Sequence, residues 1–128
     1  MSQWRWLSSE VLYAIHDMQL AQHGGIDGIK DKNLVESALA RPRQQDVYGE
    51  PPPDAADLAA AYAYAIVRKH GFSDGNKRTA WVAARLFLLD NGVHLTFAAS
   101  EAITAVLALA DGTLPEVGFA AWLRHRMT

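Results

Sequence analysis

The sequence predicts an all-α protein, a compact bundle of six helices in a single domain over residues 1–128. Three observations carry that expectation. Alanine, the strongest helix former, supplies 22 of the 128 residues. The Val/Ile/Thr alternation of half-buried strands is missing along most of the chain. Residues that cap and stop helices recur at intervals suited to helices of three or four turns.

Taken in order, Ser8 or Ser9 is placed to cap a first helix through about Gln22, with Glu10 in its first turn and Gly24-Gly25 as its stop. Asp31 caps a short second helix ending near Arg41, because Pro42 pushes the residue before it out of the helical region. Arg43 to Pro53, with Gln44-Gln45-Asp46 and Pro51-Pro52-Pro53, then reads as an extended or polyproline-like loop, the longest irregular segment. Loops of that length serve as docking segments or as plain connectors.

Asp54, with Asp57 three residues on, opens a third, alanine-rich helix through about Lys69, and Asn76 opens a fourth that runs to Asn91-Gly92. The fourth is apolar almost all round from Trp81 to Leu89, as suits a helix in the middle of a bundle. Val93 to Phe97 is expected as a short extended piece, Ser100 to Asp111 as a fifth helix stopped by Gly112, and Pro115 to Arg126 as a sixth with its proline near the start.

Composition excludes several function classes. A chain of this length buries roughly two-thirds of the surface its unfolded form exposes, so it needs no disulfide or structural metal for a core. The absence of cysteine removes disulfide scaffolds and thiolate zinc sites. No apolar run approaches the ~18 residues of a membrane span, and Met1 to Trp6 lack the basic stretch and apolar run of a signal peptide, so a cytoplasmic protein with no membrane partner is expected. With 12 Lys and Arg against 14 Asp and Glu, a net charge of −2, direct nucleic-acid binding is not expected either, since non-specific affinity comes from neutralising phosphates.

The chemically dense segment joins the third and fourth helices, from His70 to Ala80. Between Arg68 and Arg78 four cationic residues (Arg68, Lys69, Lys77, Arg78) accompany one acid, Asp74, so a chain of net −2 concentrates +3 here. Gly75 frees the backbone to turn just where a helix starts, and the unpaired N–H groups of a first helical turn attract anions. A purely structural helix start gains from acids in that turn, not from Lys77 and Arg78, whereas a phosphate-binding one gains from both cations.

Asp74 can be the ion partner of these cations or the single carboxylate that holds Mg²⁺ against bound phosphates. His70, at a helix end, can be a cap or a base that titrates near neutrality. Together, a base, a metal-type carboxylate, a glycine turn, an amide and two cations within nine residues form a usable set for phosphoryl or nucleotidyl transfer, where positioning and charge stabilisation do most of the catalysis. Phe72 is expected to point inward and pin the loop.

The run from His70 to Arg78 resembles the Fic motif, His-x-Phe-x-Asp/Glu-Gly-Asn-Gly/Lys-Arg, and with Lys77 it is similar to the Doc branch of the Fic/Doc family. The likeness continues in Leu12 to Asp17 followed by Gly24-Gly25, in Glu36 to Pro42, and in Phe87-Leu88 followed by Asn91-Gly92-Val93. It implies a six-helix fold with the motif between two central helices, and ATP and Mg²⁺ as cofactors. It further implies His70 as the general base for a target hydroxyl, Asp74 as the Mg²⁺ ligand, and Phe72 as the core anchor. Asn76, the backbone of Gly75 to Lys77, and the Lys77 and Arg78 side chains form the implied anion site, with Lys77 and Arg78 catalytic beside His70. Arg68, two residues before His70, is a further candidate for nucleotide binding. Arg85 lies on the Arg78 face but ~10 Å further along the axis, and is left out.

Two departures from the AMP-transferring Fic pattern bear on the reaction: that pattern has Gly where this chain has Lys77, and a second Arg where it has Trp81. In the Doc branch such features accompany ATP bound the other way round, with the γ-phosphate delivered to a threonine of elongation factor Tu. The resemblance thus implies a translation-halting toxin that acts as a protein kinase. It also implies a Phd-like antitoxin whose C-terminal helix covers a groove on the toxin, with any contact to nucleic acid made through that antitoxin. Arg43 to Pro53 matches the position of the family's target-docking flap. AMP transfer to a protein hydroxyl, and a binding-only role as an antitoxin's co-repressor, are the alternatives. His16-Asp17 and His23 are read as structural groups on an amphipathic helix, and Trp4, Trp6, Trp81 and Trp122 as core or partner-surface residues.

Overall fold

The computed structural model describes residues 3–26, 28–69 and 71–128. Among them the chain forms six helices and no strand: α1 (Ser9–His23), α2 (Lys32–Tyr48), α3 (Ala55–Lys69), α4 (Asn76–Asp90), α5 (Ala99–Asp111) and α6 (Glu116–Arg124). The expected all-α fold is the one observed.

The helix starts follow the expected caps. Ser8 Oγ accepts the Val11 N–H at 3.2 Å, and Asp31 Oδ1 accepts that of Asn33 at 2.9 Å, each satisfying a donor that the first turn leaves unpaired. At the start of α3, Asp54 Oδ1 accepts the Asp57 N–H at 2.9 Å while Asp57 Oδ2 accepts the Asp54 N–H at 3.0 Å, a reciprocal box that closes two open donors.

The middle of the bundle is α3, with ten of its fifteen residues buried and α2, α4, α5 and α6 packed around it. Its alanines let these neighbours approach closely. Tyr62, fully buried, reaches past them so that its hydroxyl accepts the Leu7 N–H at 3.0 Å and ties the N-terminal segment to the core.

The fourth helix departs from its expected all-round burial. One face of α4 (Thr79, Ala80, Ala83, Ala84, Phe87, Leu88) is buried, but Trp81 is only half-buried, and Arg85 and Leu89 are exposed. An apolar run reports the polarity of a helix and not how many neighbours it has, and the exposed flank of α4 borders a groove.

The second helix does not stop at Pro42: α2 runs on to Tyr48, so only Gly49 to Pro53 of the expected Arg43 to Pro53 loop lies outside helix. Proline inside a helix removes one intrahelical bond and crowds the carbonyl four residues back. Tertiary contacts on both sides of it offset that cost. Pro42 is itself buried, Arg41 pairs with Glu116, and Gln45 Nε2 donates to Glu116 Oε2 at 2.9 Å. Further on, Trp4 Nε1 donates to Asp46 Oδ1 at 3.2 Å, and the Arg43 guanidinium stands 5.6 Å from the Trp6 ring centre.

Val93 to Phe97 does not form a strand; it contributes an isolated antiparallel bridge, Leu95 to Met127, flanked by Thr96 N–H to Arg126 O at 2.8 Å and Thr128 N–H to His94 O at 2.9 Å. No described helix is long and apolar enough to cross a membrane.

Candidate active site

The segment between α3 and α4 is built from contacts both local and distant. Phe72 is buried, as expected of an anchor, with its ring edge-on to Tyr13 at 6.1 Å. Asn76, the first residue of α4, clips the loop from within: its Nδ2 donates to Phe72 O at 3.0 Å and its Oδ1 accepts the Phe72 N–H at 3.3 Å. From the other side the segment between α1 and α2 fastens the same loop. Ser73 N–H donates to Gly28 O at 3.1 Å, Asp31 N–H to Gly71 O at 3.0 Å, and Ile26 N–H to the Asp74 carboxylate at 3.2 Å.

Gly75 precedes α4 with φ +76° and ψ 15°, a left-handed conformation that disfavours any side chain. No side chain caps α4, so the open donors of its first turn keep no protein partner of that kind. The exception is the Gly75 N–H itself, which donates to Asp74 Oδ1 at 2.8 Å. Of the backbone groups expected in the anion site, Gly75 is thus already occupied by Asp74.

Asp74 has both carboxylate oxygens engaged by backbone donors, Ile26 N–H on one and Gly75 N–H on the other. These two bonds, helped by the nearby Arg78 charge, hold its carboxyl below the usual range, so it is a fixed anion. Each oxygen retains a further lone pair. Among the described residues no group of three or more His, Cys, Asp or Glu side chains converges as a metal cage. A single pinned carboxylate facing an anion site fits Mg²⁺, which keeps several waters and is held by one or two carboxylates together with substrate phosphates.

A groove of about 820 Å³ starts at this loop. One end is lined by Ser73 to Arg78, and the rest by Trp81, Arg85 and Phe97 together with the Ala99, Ala102, Ile103, Val106 and Leu107 face of α5. Among the described residues no ion pair joins Lys77, Arg78 or Arg85 to a carboxylate. Three cations on one groove, with a helix N-terminus at its end, can bind a multiply charged anion.

The structure thus brings Asp74, Gly75, Asn76, Lys77 and Arg78 together at one end of one groove. His70 lies outside the described residues. Arg68 does not line the groove: its guanidinium stands over the Tyr64 ring at 5.7 Å and near Gly112, beyond the end of α5. Two residues that sequence reasoning set aside stand close to the site. Arg85 lines the groove with its guanidinium 4.9 Å from the Phe97 ring centre and 5.9 Å from that of Trp81. Its axial distance from Arg78 argued against it, but the groove extends that far. His16 is buried beneath the loop, and the signal for it was its place with Leu12, Ile15 and Gln19 on the buried stripe of α1.

Comparison with known proteins places the chain in a family. The model of the Fic/DOC family matches residues 6–88, the part of the chain that carries α1 to α4 up to Leu88. The chain is 35% identical to a protein named "Protein kinase doc" from Escherichia phage P1 over 121 residues, 94% of each chain. It is 48% identical to "Toxin Doc" of Mycolicibacterium smegmatis over 73 residues, 56% of this chain and 55% of that one. With the family model covering well over half the chain and the phage protein aligned along nearly all of it, the chain belongs to the Fic/DOC family.

Proposed function

We propose that this chain is the toxin of a toxin–antitoxin pair and a protein kinase, transferring the γ-phosphate of Mg²⁺-bound ATP to a threonine hydroxyl of elongation factor Tu and so halting translation. The names of the two relatives support the coarser part of this reading. The observation that carries the finer part is the make-up of the groove beside the motif. Lys77 adds a long cation where the AMP-transferring pattern has glycine, and Trp81, where that pattern has its second Arg, instead builds an aromatic wall edge-on to Phe97 at 5.1 Å and to Trp122 at 5.9 Å. Phosphate ligands are thereby concentrated at the loop end.

In this reading Asp74 would be the protein ligand of Mg²⁺, and the ion would supply neutralisation of the phosphate charge. The open N–H groups of the first turn of α4, with Lys77 and Arg78, bind and orient the transferred phosphoryl group. Asn76 keeps the loop in register with the helix through its two bonds to Phe72. His70 takes the proton from the target hydroxyl. A Phd-like antitoxin is the inhibitory partner, and the cytoplasm is where both would meet the target. The exposed end of α2 and the turn after it, with Val47 and Tyr48 70% and 82% exposed, is the target-docking surface. Arg68, standing over Tyr64 and away from the groove lining, is the weakest of the expected nucleotide-binding candidates.

AMP transfer keeps a place as the second reading on one observation: Arg85 returns a cation to the groove one turn beyond Trp81. The deciding experiment incubates the protein, Mg²⁺ and elongation factor Tu with ATP labelled at the α or the γ phosphate, with His70→Ala alongside. Label from the γ position alone, lost in the variant, is the expected result. Label from the α position establishes AMP transfer, and no transfer from either refutes both reactions on this target.

A further inference from the structure

The loop that carries Asp74 rests on one side chain from a different part of the chain. His16, on α1 and 58 residues before Asp74, is only 2% exposed. Its ring lies almost parallel to that of Phe72, with centres 3.9 Å apart and planes 11° apart. Its Nε2 is 2.7 Å from the Asp74 carbonyl oxygen. Its Cδ2 and Nε2 both stand 3.7 Å from the point where a side chain on Gly75 would begin. One imidazole therefore underlies Phe72, Asp74 and Gly75 together.

A carbonyl oxygen only accepts, so Nε2 carries the proton and donates it to Asp74 O. The same peptide unit is held at its other end, where the Gly75 N–H donates to Asp74 Oδ1 at 2.8 Å. The Asp74–Gly75 peptide plane is thus gripped at its oxygen by His16 and at its nitrogen by the Asp74 carboxylate. Without the first grip, only the bond from the Gly75 N–H to the Asp74 carboxylate opposes a flip of the plane. Turns interconvert by such a rotation when the residue after the peptide accepts either sign of φ, and Gly75, at φ +76°, is the residue that does. A flip turns the Gly75 N–H away from the carboxylate and releases one of the two bonds that aim it. The remaining bond, from Ile26 N–H, fixes one oxygen but not the rotation about it.

We infer that His16 is a positioning residue of the active site: by donating from Nε2 to the Asp74 carbonyl and stacking on Phe72, it locks the Asp74–Gly75 peptide and so aims the Asp74 carboxylate. Its consequence for metal binding rests on the reading of Asp74 as the Mg²⁺ ligand, while the lock on the peptide does not.

The test uses the full chain and two variants that divide the role. His16→Phe keeps a ring to stack on Phe72 and removes the donor; His16→Gln keeps a donor at nearly the same reach and removes the ring. The first readout is the Gly75 amide in a ¹H–¹⁵N spectrum, whose proton is shifted downfield by its bond to a carboxylate. The second is calorimetric binding of a non-hydrolysable ATP analogue, with Mg²⁺ and with EDTA.

In His16→Phe the Gly75 amide is expected to lose its downfield position. Affinity for the analogue with Mg²⁺ should fall tenfold or more, against less than threefold with EDTA. His16→Gln should restore the amide position and most of the Mg²⁺-dependent affinity. A Gly75 amide unchanged in His16→Phe overturns the inference, as does equal damage with and without Mg²⁺. Should His16→Phe fail to fold, His16→Gln decides alone: loss of the Gly75 signature despite a retained donor assigns His16 to packing. A parent protein that binds no analogue refutes the nucleotide reading, and the Gly75 amide then still decides for or against the lock.

Discussion

Asn76→Ala removes the clip that joins the motif loop to α4, and its cost follows from what the change leaves behind. The bond from Nδ2 to Phe72 O is 3.0 Å, a normal length, and that from the Phe72 N–H to Oδ1 is 3.3 Å, at the long end of the range. Phe72 is 2% exposed, so its N–H finds no ready replacement in water. A net hydrogen bond is worth about 1 kcal/mol and a buried donor left without a partner costs about 1–3 kcal/mol, which puts the variant at about 2 kcal/mol of lost stability. For a chain of this size, at about 4 °C per kcal/mol, the melting temperature falls by about 8 °C. Urea denaturation should show the midpoint lowered and the slope unchanged, because the native fold is kept. Amide exchange at Phe72 should speed up about thirtyfold, the equivalent of about 2 kcal/mol, with residues in the middle of α3 affected no more than the global loss requires. An Asn76→Ala protein that melts within about 1 °C of the parent, with Phe72 protection intact, would falsify the clip as a structural element.

Tyr62→Phe strands the buried Leu7 N–H and should cost about 2 kcal/mol in urea denaturation, with no change in nucleotide binding; a loss under about 0.5 kcal/mol contradicts the tie between the N-terminal segment and α3. Arg124 donates to both oxygens of Asp54, and these bonds lower the Asp54 carboxyl from 3.8 to about 2. Because the folded value is depressed, the pair's stabilisation is complete above about pH 4 and is lost as pH falls through about 2. Arg124→Ala should therefore cost about 0.5–1 kcal/mol at neutral pH, a figure reduced for solvent screening at half-exposed groups, and much less at pH 1.5; a difference undiminished at pH 1.5 contradicts the assignment. Gly25→Ala puts a Cβ 2.9 Å from Asp74 Oδ2 at a backbone φ of +128°, so it should weaken Mg²⁺-dependent nucleotide binding while Phe72 stays protected; unchanged binding means that the carboxylate tolerates displacement.

The parts of the fold that were legible in the sequence are those set by local chemistry. Ser8, Asp31 and the Asp54–Asp57 pair announce helix starts because a short polar side chain can close a first-turn donor within three residues of itself, and each does so. Pro42 misled because its local effect is real but small beside the contacts that Arg41, Gln45 and Asp46 make with distant residues. The centrality of α3 over α4 was hidden for a related reason: alanines mark close approach only once the neighbours are known. At the site, Asp74 to Arg78 stood out because charge, glycine and amide fall within one turn of chain. His16 gave no chemical signal of that kind. Its partner is a backbone carbonyl 58 residues away, and sequence patterns record side chains, not the carbonyls that they meet.

The order of charge along α4 also constrains what the groove accepts. Arg78 and Arg85 are seven residues apart, about two helical turns, with Trp81 between them as an apolar step against Phe97. A triphosphate lying wholly along α4 would have to pass its charge over that aromatic step, where the one cation at the rings is Arg85, itself stacked on them. A triphosphate gathered at the loop end meets Lys77, Arg78 and the open N–H groups at once, and leaves the aromatic wall and the α5 face for less polar parts of a ligand. Arg85 does not reverse this preference, because its guanidinium already stands over the Phe97 and Trp81 rings and can act as part of that wall. In the proposed kinase reading, that loop end, with its cluster of donors, is where the transferred phosphoryl group would sit.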